Sequence, residues 1–171
     1  MPAEKALEIL SKYSWIDSLQ YRGLPDANIA WGLWPQLTGE ILTVLRRSDS
    51  VIKIQNKRTF PEAILVTETN LRVALEDLRA RAETLTGQSV ERTSKILVHE
   101  ELIFSMTGVG SVVYEPGPWM VASPSIWTVL YWAEKLIEFL PRKGSDVPKV
   151  LEYLEEALVE LETKLTAPKW S

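Results

Sequence analysis

Chemistry at neutral pH needs groups that titrate, ligate or attack, and this chain brings few of them together. Its single histidine stands in His99-Glu100-Glu101, the one point where an imidazole meets carboxylates. Adjacent residues on a helix diverge by about 100°, so these three side chains do not converge on a common ligand. A helical zinc site also needs a second histidine four positions on, which is missing, and the run reads as a surface histidine. Gly108-Val109-Gly110-Ser111 has two glycines and a hydroxyl but neither the Gly-Lys-Ser/Thr ending of a P-loop nor the third glycine of a dinucleotide fingerprint. It reads as a helix stop and turn. With no cysteine at all, thiol nucleophiles, disulfides, iron–sulfur sites and zinc fingers are excluded. No metal site and no cofactor is implied. Glu152, Glu155, Glu156, Glu160 and Glu162 crowd the last predicted helix, opposite its leucines. They read as a solvated face, since a paired acid and base need a cleft that separates their environments.

The strongest functional signal is charge layout. Net charge is −4, yet residues 41–60 carry Arg46, Arg47, Lys53, Lys57 and Arg58 against Asp49 alone. One basic segment on an acidic protein suits contact with phosphates, and five such contacts would make binding salt-dependent. The alternative is that the arginines complement a helix end while the lysines keep an edge strand from aggregating. Of the seven tryptophans, Trp31, Trp34, Trp127 and Trp170 are candidate interface residues, because large aromatics at a surface mark contacts or stacking platforms. The competing reading places most of them in the core.

These residues have to be positioned by mostly helical elements. Ala6, Ile9, Leu10, Tyr13, Ile16 and Leu19 recur at three- and four-residue steps and predict a helix over about 2–19. A second helix opens near Pro35 and runs through Leu37, Ile41, Val44 and Leu45 to Arg47. Val51-Ile52-Lys53-Ile54 alternates as a strand does, with Gln55-Asn56-Lys57 as a turn and Arg58-Thr59-Phe60 as the returning arm. Leu71, Leu75, Leu78, Ala82 and Leu85 predict a helix over 67–86, closed by Gly87. Another is expected from Ser89 to Gly108. Ser111–Tyr114 and Trp119–Ala122, on either side of Glu115-Pro116-Gly117-Pro118, predict a second hairpin. Ser123-Pro124 opens an apolar helix to Leu140, and Asp146 with Pro148 opens the last, striped by Val150, Leu151, Leu154, Leu158, Leu161 and Leu165. The expectation is a mainly α fold: a helical bundle of five or six helices with two small β-hairpins, in one domain over 1–171 with a hairpin appendage at 109–122. Strand should stay below about a fifth of the residues. The predicted core includes Ile9, Leu37, Val44, Leu75, Leu78, Leu130, Leu154, Leu158 and Leu161.

The 171 residues are 46% hydrophobic and 25% charged, enough to bury a core without covalent staples. The stretch from Ile126 to Leu140 is too short to span a bilayer and carries Glu134, Lys135 and Glu138. No secretory leader is visible in the opening residues, so a cytoplasmic location away from membranes is expected. Few amides and no cysteine suit a thermophilic source.

From Ser11 to Phe60 the chain reads SKYSWIDSLQYRGLPDANIAWGLWPQLTGEILTVLRRSDSVIKIQNKRTF. The run Tyr13-Ser14-Trp15-Ile16-Asp17, the Pro-Asp-Ala break, a helix ending in Arg46-Arg47 and a short basic segment resemble the small subunit of archaeal type I-A CRISPR interference complexes. The helix at 67–86 fits as well; the likeness covers about half the chain and does not extend past Val109. It implies a small, helical, non-catalytic subunit of an antiviral ribonucleoprotein, lining the effector beside the guide and the target strand. Its partners would be other subunits and the backbone of RNA or single-stranded DNA. Two further readings stay open: a self-assembling helical protein such as an archaeal filamentous virus coat subunit, and a small enzyme with a site of ordinary Asp, Glu, Arg and Ser residues.

Overall fold

A computed structural model describes residues 3–13, 19–21, 34–57, 61–87, 89, 114–116, 118–140 and 146–167. Among them are five helices, α1 (Glu4–Lys12), α2 (Trp34–Lys57), α3 (Pro61–Thr86), α4 (Pro118–Phe139) and α5 (Asp146–Thr166), and two short strands, β1 (Leu19–Tyr21) and β2 (Tyr114–Pro116). Each of the four long helices carries a proline in its first turn (Pro35, Pro61, Pro118 and Pro148), where the missing N–H has no intrahelical partner to lose. Gly87 closes α3 at φ 70°, and its N–H donates to the carbonyl of Glu83 at 2.8 Å. That left-handed turn suits glycine.

The helical bundle stands, and among the described residues neither predicted hairpin is present. Residues 51–57 continue α2, so the stretch read as a strand and turn is helix. The physical reason is burial: Leu37, Ile41, Val44, Leu45, Ser48, Val51 and Ile52 form one buried stripe at helical spacing. Packing of that stripe overrides the strand preference of Val51 and Ile52. At the second site, Trp119–Ala122 belongs to α4. Tyr114–Pro116 pairs instead with Leu19–Tyr21, antiparallel, with Gln20 opposite Glu115. The first helix ends at Lys12 and not near Leu19, since Tyr13 is extended and Leu19 lies in β1; residues 14–18 and nearly all of 89–108 fall outside the described residues.

α2 and α3 form one antiparallel pair, and the Arg81 guanidinium reaches the Glu40 carboxylate at 3.8 Å near its far end. α4 and α5 form another, and the two pairs meet over a shared core. Leu71, Leu78 and Ala82 of α3, Ile126, Leu130 and Leu136 of α4, and Leu154, Leu158, Leu161 and Leu165 of α5 are buried there. Of the predicted core residues only Ile9 is merely half-buried.

α1 is nine residues long, too short to hold itself in water. Its helix-capping residue, Ala3, has no side-chain acceptor, and other helices supply one. The Ala3 N–H donates to Asp49 of α2 at 3.2 Å, and the Ala6 N–H donates to Glu162 of α5 at 2.7 Å. Both carboxylates satisfy donors that a helix start leaves unpaired, and both sit at the positive end of its dipole. At the other end, the Trp119 indole N–H is shared by the carbonyls of Leu10, 3.1 Å away, and Tyr13, 2.6 Å away.

Burial lifts the Asp49 carboxyl above its ordinary value of 3.8; the Ala3 hydrogen bond and the Lys53 charge oppose the shift, and Glu162 adds to it. A carboxyl raised in the folded state binds its proton more tightly there than in the unfolded chain. Its contribution to stability is therefore complete below about pH 4 and is lost as pH rises through the raised value. Asp49→Asn keeps an acceptor for Ala3 and removes the titration. In a pH series of urea unfolding, the variant should gain on the parent as pH rises above about 4 and then hold a constant lead. A difference flat in pH would show that Asp49 titrates as it does in the unfolded chain.

Candidate nucleic-acid interface

The basic residues of 41–60 were expected on a helix end and a hairpin, and α2 places four of them on one continuous helix. At 100° per residue, Arg46, Lys53 and Lys57 fall within about 20° of a single line that runs some 16 Å along the axis. Arg47 stands one strip to the side. The buried stripe of α2 faces the opposite way, which puts Arg46 and Lys53 at the centre of its outer surface. Arg46 and Arg47 are exposed, and among the described residues neither pairs with a carboxylate. Lys53 is half-buried, and Asp49, one turn before it, feels its charge. Lys57 is the last residue of the helix, and Arg58 lies outside the described residues.

Such a line can hold anions in a row. It presents no amide or carboxylate to read the edge of adenine or cytosine.

Of the candidate interface tryptophans, Trp31 and Trp170 lie outside the described residues, and Trp34 is the first residue of α2. Trp127 is half-buried on the outer side of α4, stacked on Tyr131 with ring centroids 5.7 Å apart. Lys135 continues this row, its ammonium 5.7 Å from the Tyr131 ring and 5.8 Å from that of Phe139. Tyr131 meets Trp132 edge-on, and Trp132 meets Tyr153 of α5 at 4.6 Å. The four-residue steps from Trp127 through Tyr131 and Lys135 to Phe139 are the signal that could have revealed this ladder.

Two features escaped the sequence reading. Trp119, placed on a strand by its neighbours, is among the largest fully buried side chains. The outer face of α5 was read as no more than solvated. It carries Glu152, Glu156 and Glu160 in an unbroken row of four-residue steps, all exposed. The basic and acidic surfaces thus belong to different helix pairs. His99 and the glycines at 108 and 110 lie outside the described residues. Among the described residues no cluster of His, Asp and Glu could hold a metal ion, and no helix is long and apolar enough to cross a membrane. No family model matches the chain, and neither a curated protein nor a solved structure matches it.

Proposed function

We propose that the chain is a non-catalytic structural subunit of a ribonucleoprotein, of the kind the CRISPR resemblance implies, that contacts nucleic-acid backbone through the outer face of α2. The observation that supports this reading is the alignment of Arg46 and Lys53 on one outer line of α2, flanked by Arg47, in a protein whose remaining charge is negative. A straight cationic row on a rigid helix meets a phosphate backbone at several points at once. Each phosphate neutralised releases counterions, so affinity comes largely from salt-sensitive contacts. Binding by the isolated chain is expected to be weak, because the net charge of −4 opposes approach. Within an assembly, tethering beside other subunits raises the effective concentration and makes up the difference.

The test is a salt titration of single-stranded RNA and DNA binding with the parent and with an Arg46→Gln, Lys53→Gln, Lys57→Gln triple variant. The slope of log K against log salt should shrink by about 2 for three contacts to a single strand. The melting temperature should barely move, since these positions lie on the side of α2 away from its buried stripe. An unchanged slope would reduce the line to a solubilising surface and end this reading.

A further inference from the structure

We propose that the outer face of α5 takes a second copy of the chain, seating the Glu152, Glu156 and Glu160 row of one molecule on the Arg46 and Lys53 line of the next. Three observations carry this.

The first is complementarity of charge and length. Both rows run along the outer face of a helix, the acidic one over about 12 Å and the basic one over about 10 Å. Lysine and arginine side chains are long enough to absorb the difference. The second is that, among the described residues, neither Arg46 nor the acidic row has an ion-pair partner in its own molecule. Like charges four residues apart on a helix repel, an effect that Lys149 and Lys164, one turn beyond the two ends of the row, offset in part. The third is that apolar side chains flank the acidic row. Tyr153 and Val159 on α5 are 40% and 48% exposed. Leu65, on the helix that pairs with α2, is 61% exposed as well. Surface ion pairs alone contribute little, and burying these side chains between molecules adds what they lack.

Because the two rows are different surfaces, the contact is head to tail. It leaves one row free at each end, and it propagates into a chain or closes into a ring. The α2 line has room for one occupant at a time, so a nucleic acid bound there would release the neighbouring copy. The proposal itself needs no nucleic acid.

Sedimentation velocity of the full chain tests it. At about 0.01 M salt, where charges act over about 30 Å, the parent should form oligomers that grow with concentration. At about 1 M salt, where the reach is about 3 Å, it should be monomeric. One variant, Arg46→Glu with Lys53→Glu, has two acidic faces. A second, Glu152→Lys, Glu156→Lys and Glu160→Lys, has two basic faces. Each should be monomeric at low salt, and mixing them should restore oligomers. A third variant, Glu68→Lys, Glu76→Lys and Asp77→Lys, makes the same change of net charge as the second but places it on α3, where Glu76 and Asp77 are exposed and Glu68 is half-buried. It keeps both rows and should keep the parent's oligomers at low salt. A monomeric third variant, no oligomers when the first two are mixed, or a parent that stays monomeric at low salt would each overturn the proposal. The last result would leave the α2 line to nucleic acid, and the salt titration above would stand unaffected.

Discussion

Replacing Trp119 by Ala should destabilise the protein by about 3–5 kcal/mol, the range for emptying a large buried aromatic site. Two effects combine in that figure. The side chain is buried and among the largest in the core, so its removal leaves a cavity where α4 begins beside the end of α1. Its indole N–H is also a donor to the Leu10 and Tyr13 carbonyls. Carbonyls in the last turn of a helix have no intrahelical donor, and losing Trp119 leaves a buried one unpaired. Trp119→Phe separates the terms, since it keeps most of the apolar bulk and removes the donor; a cost of about 1–2 kcal/mol is expected. Whole domains are stable by only about 5–15 kcal/mol, so the alanine variant should show a large fall in urea midpoint. A loss under about 1 kcal/mol for Trp119→Ala would mean that α1 is not docked on α4 in solution.

The second large effect is expected at α5. Leu158→Ala, and separately Leu154→Ala, should each cost about 2–5 kcal/mol, because both leucines are fully buried between α5 and the rest of the core. The two sit one turn apart, so the double variant should cost less or more than the sum by a measurable coupling. Urea denaturation of the four proteins gives all three quantities. If both single variants unfold like the parent, the leucine stripe does not carry the bundle.

α5 was the most legible element. Its stripe runs from Val150 to Leu165 without interruption, and Asp146 with Pro148 marks its start. α3 was nearly as plain, with Leu71, Leu75, Leu78 and Ala82 buried as spaced and Gly87 closing it. α2 was misread at its second half because Val51, Ile52 and Ile54 are β-branched and alternate with Lys53. That local pattern is genuine, but the longer one from Val44 through Leu45 and Ser48 to Val51 and Ile52 decides the outcome, because packing is collective and propensity is weak. Similarly, Ser123-Pro124 resembles a helix start more strongly than Gly117-Pro118. Pro124 is exposed seven residues into α4, and the helix tolerates it there. For the candidate site, residue types were readable and geometry was not. The basic residues were assigned to one segment correctly, but a helix puts Arg46 and Lys53 in line where a hairpin would have splayed them apart.

The contacts that secure α1 have a consequence for how the protein is made. Its two ends are held by Trp119 and Glu162, which lie 109 and 156 positions along the chain from their partners Leu10 and Ala6. At about 5–20 residues per second, a ribosome exposes the residues of α1 roughly 8–30 seconds before it delivers Glu162. Through that interval α1 lacks α5, and for much of it Trp119 as well, with α2 alone of its packing partners already made. α1 thus emerges well before the helix that completes its fastening, and a nascent chain halted before α5 would leave Leu10 and its neighbours partly open to whatever chaperone or protease is near.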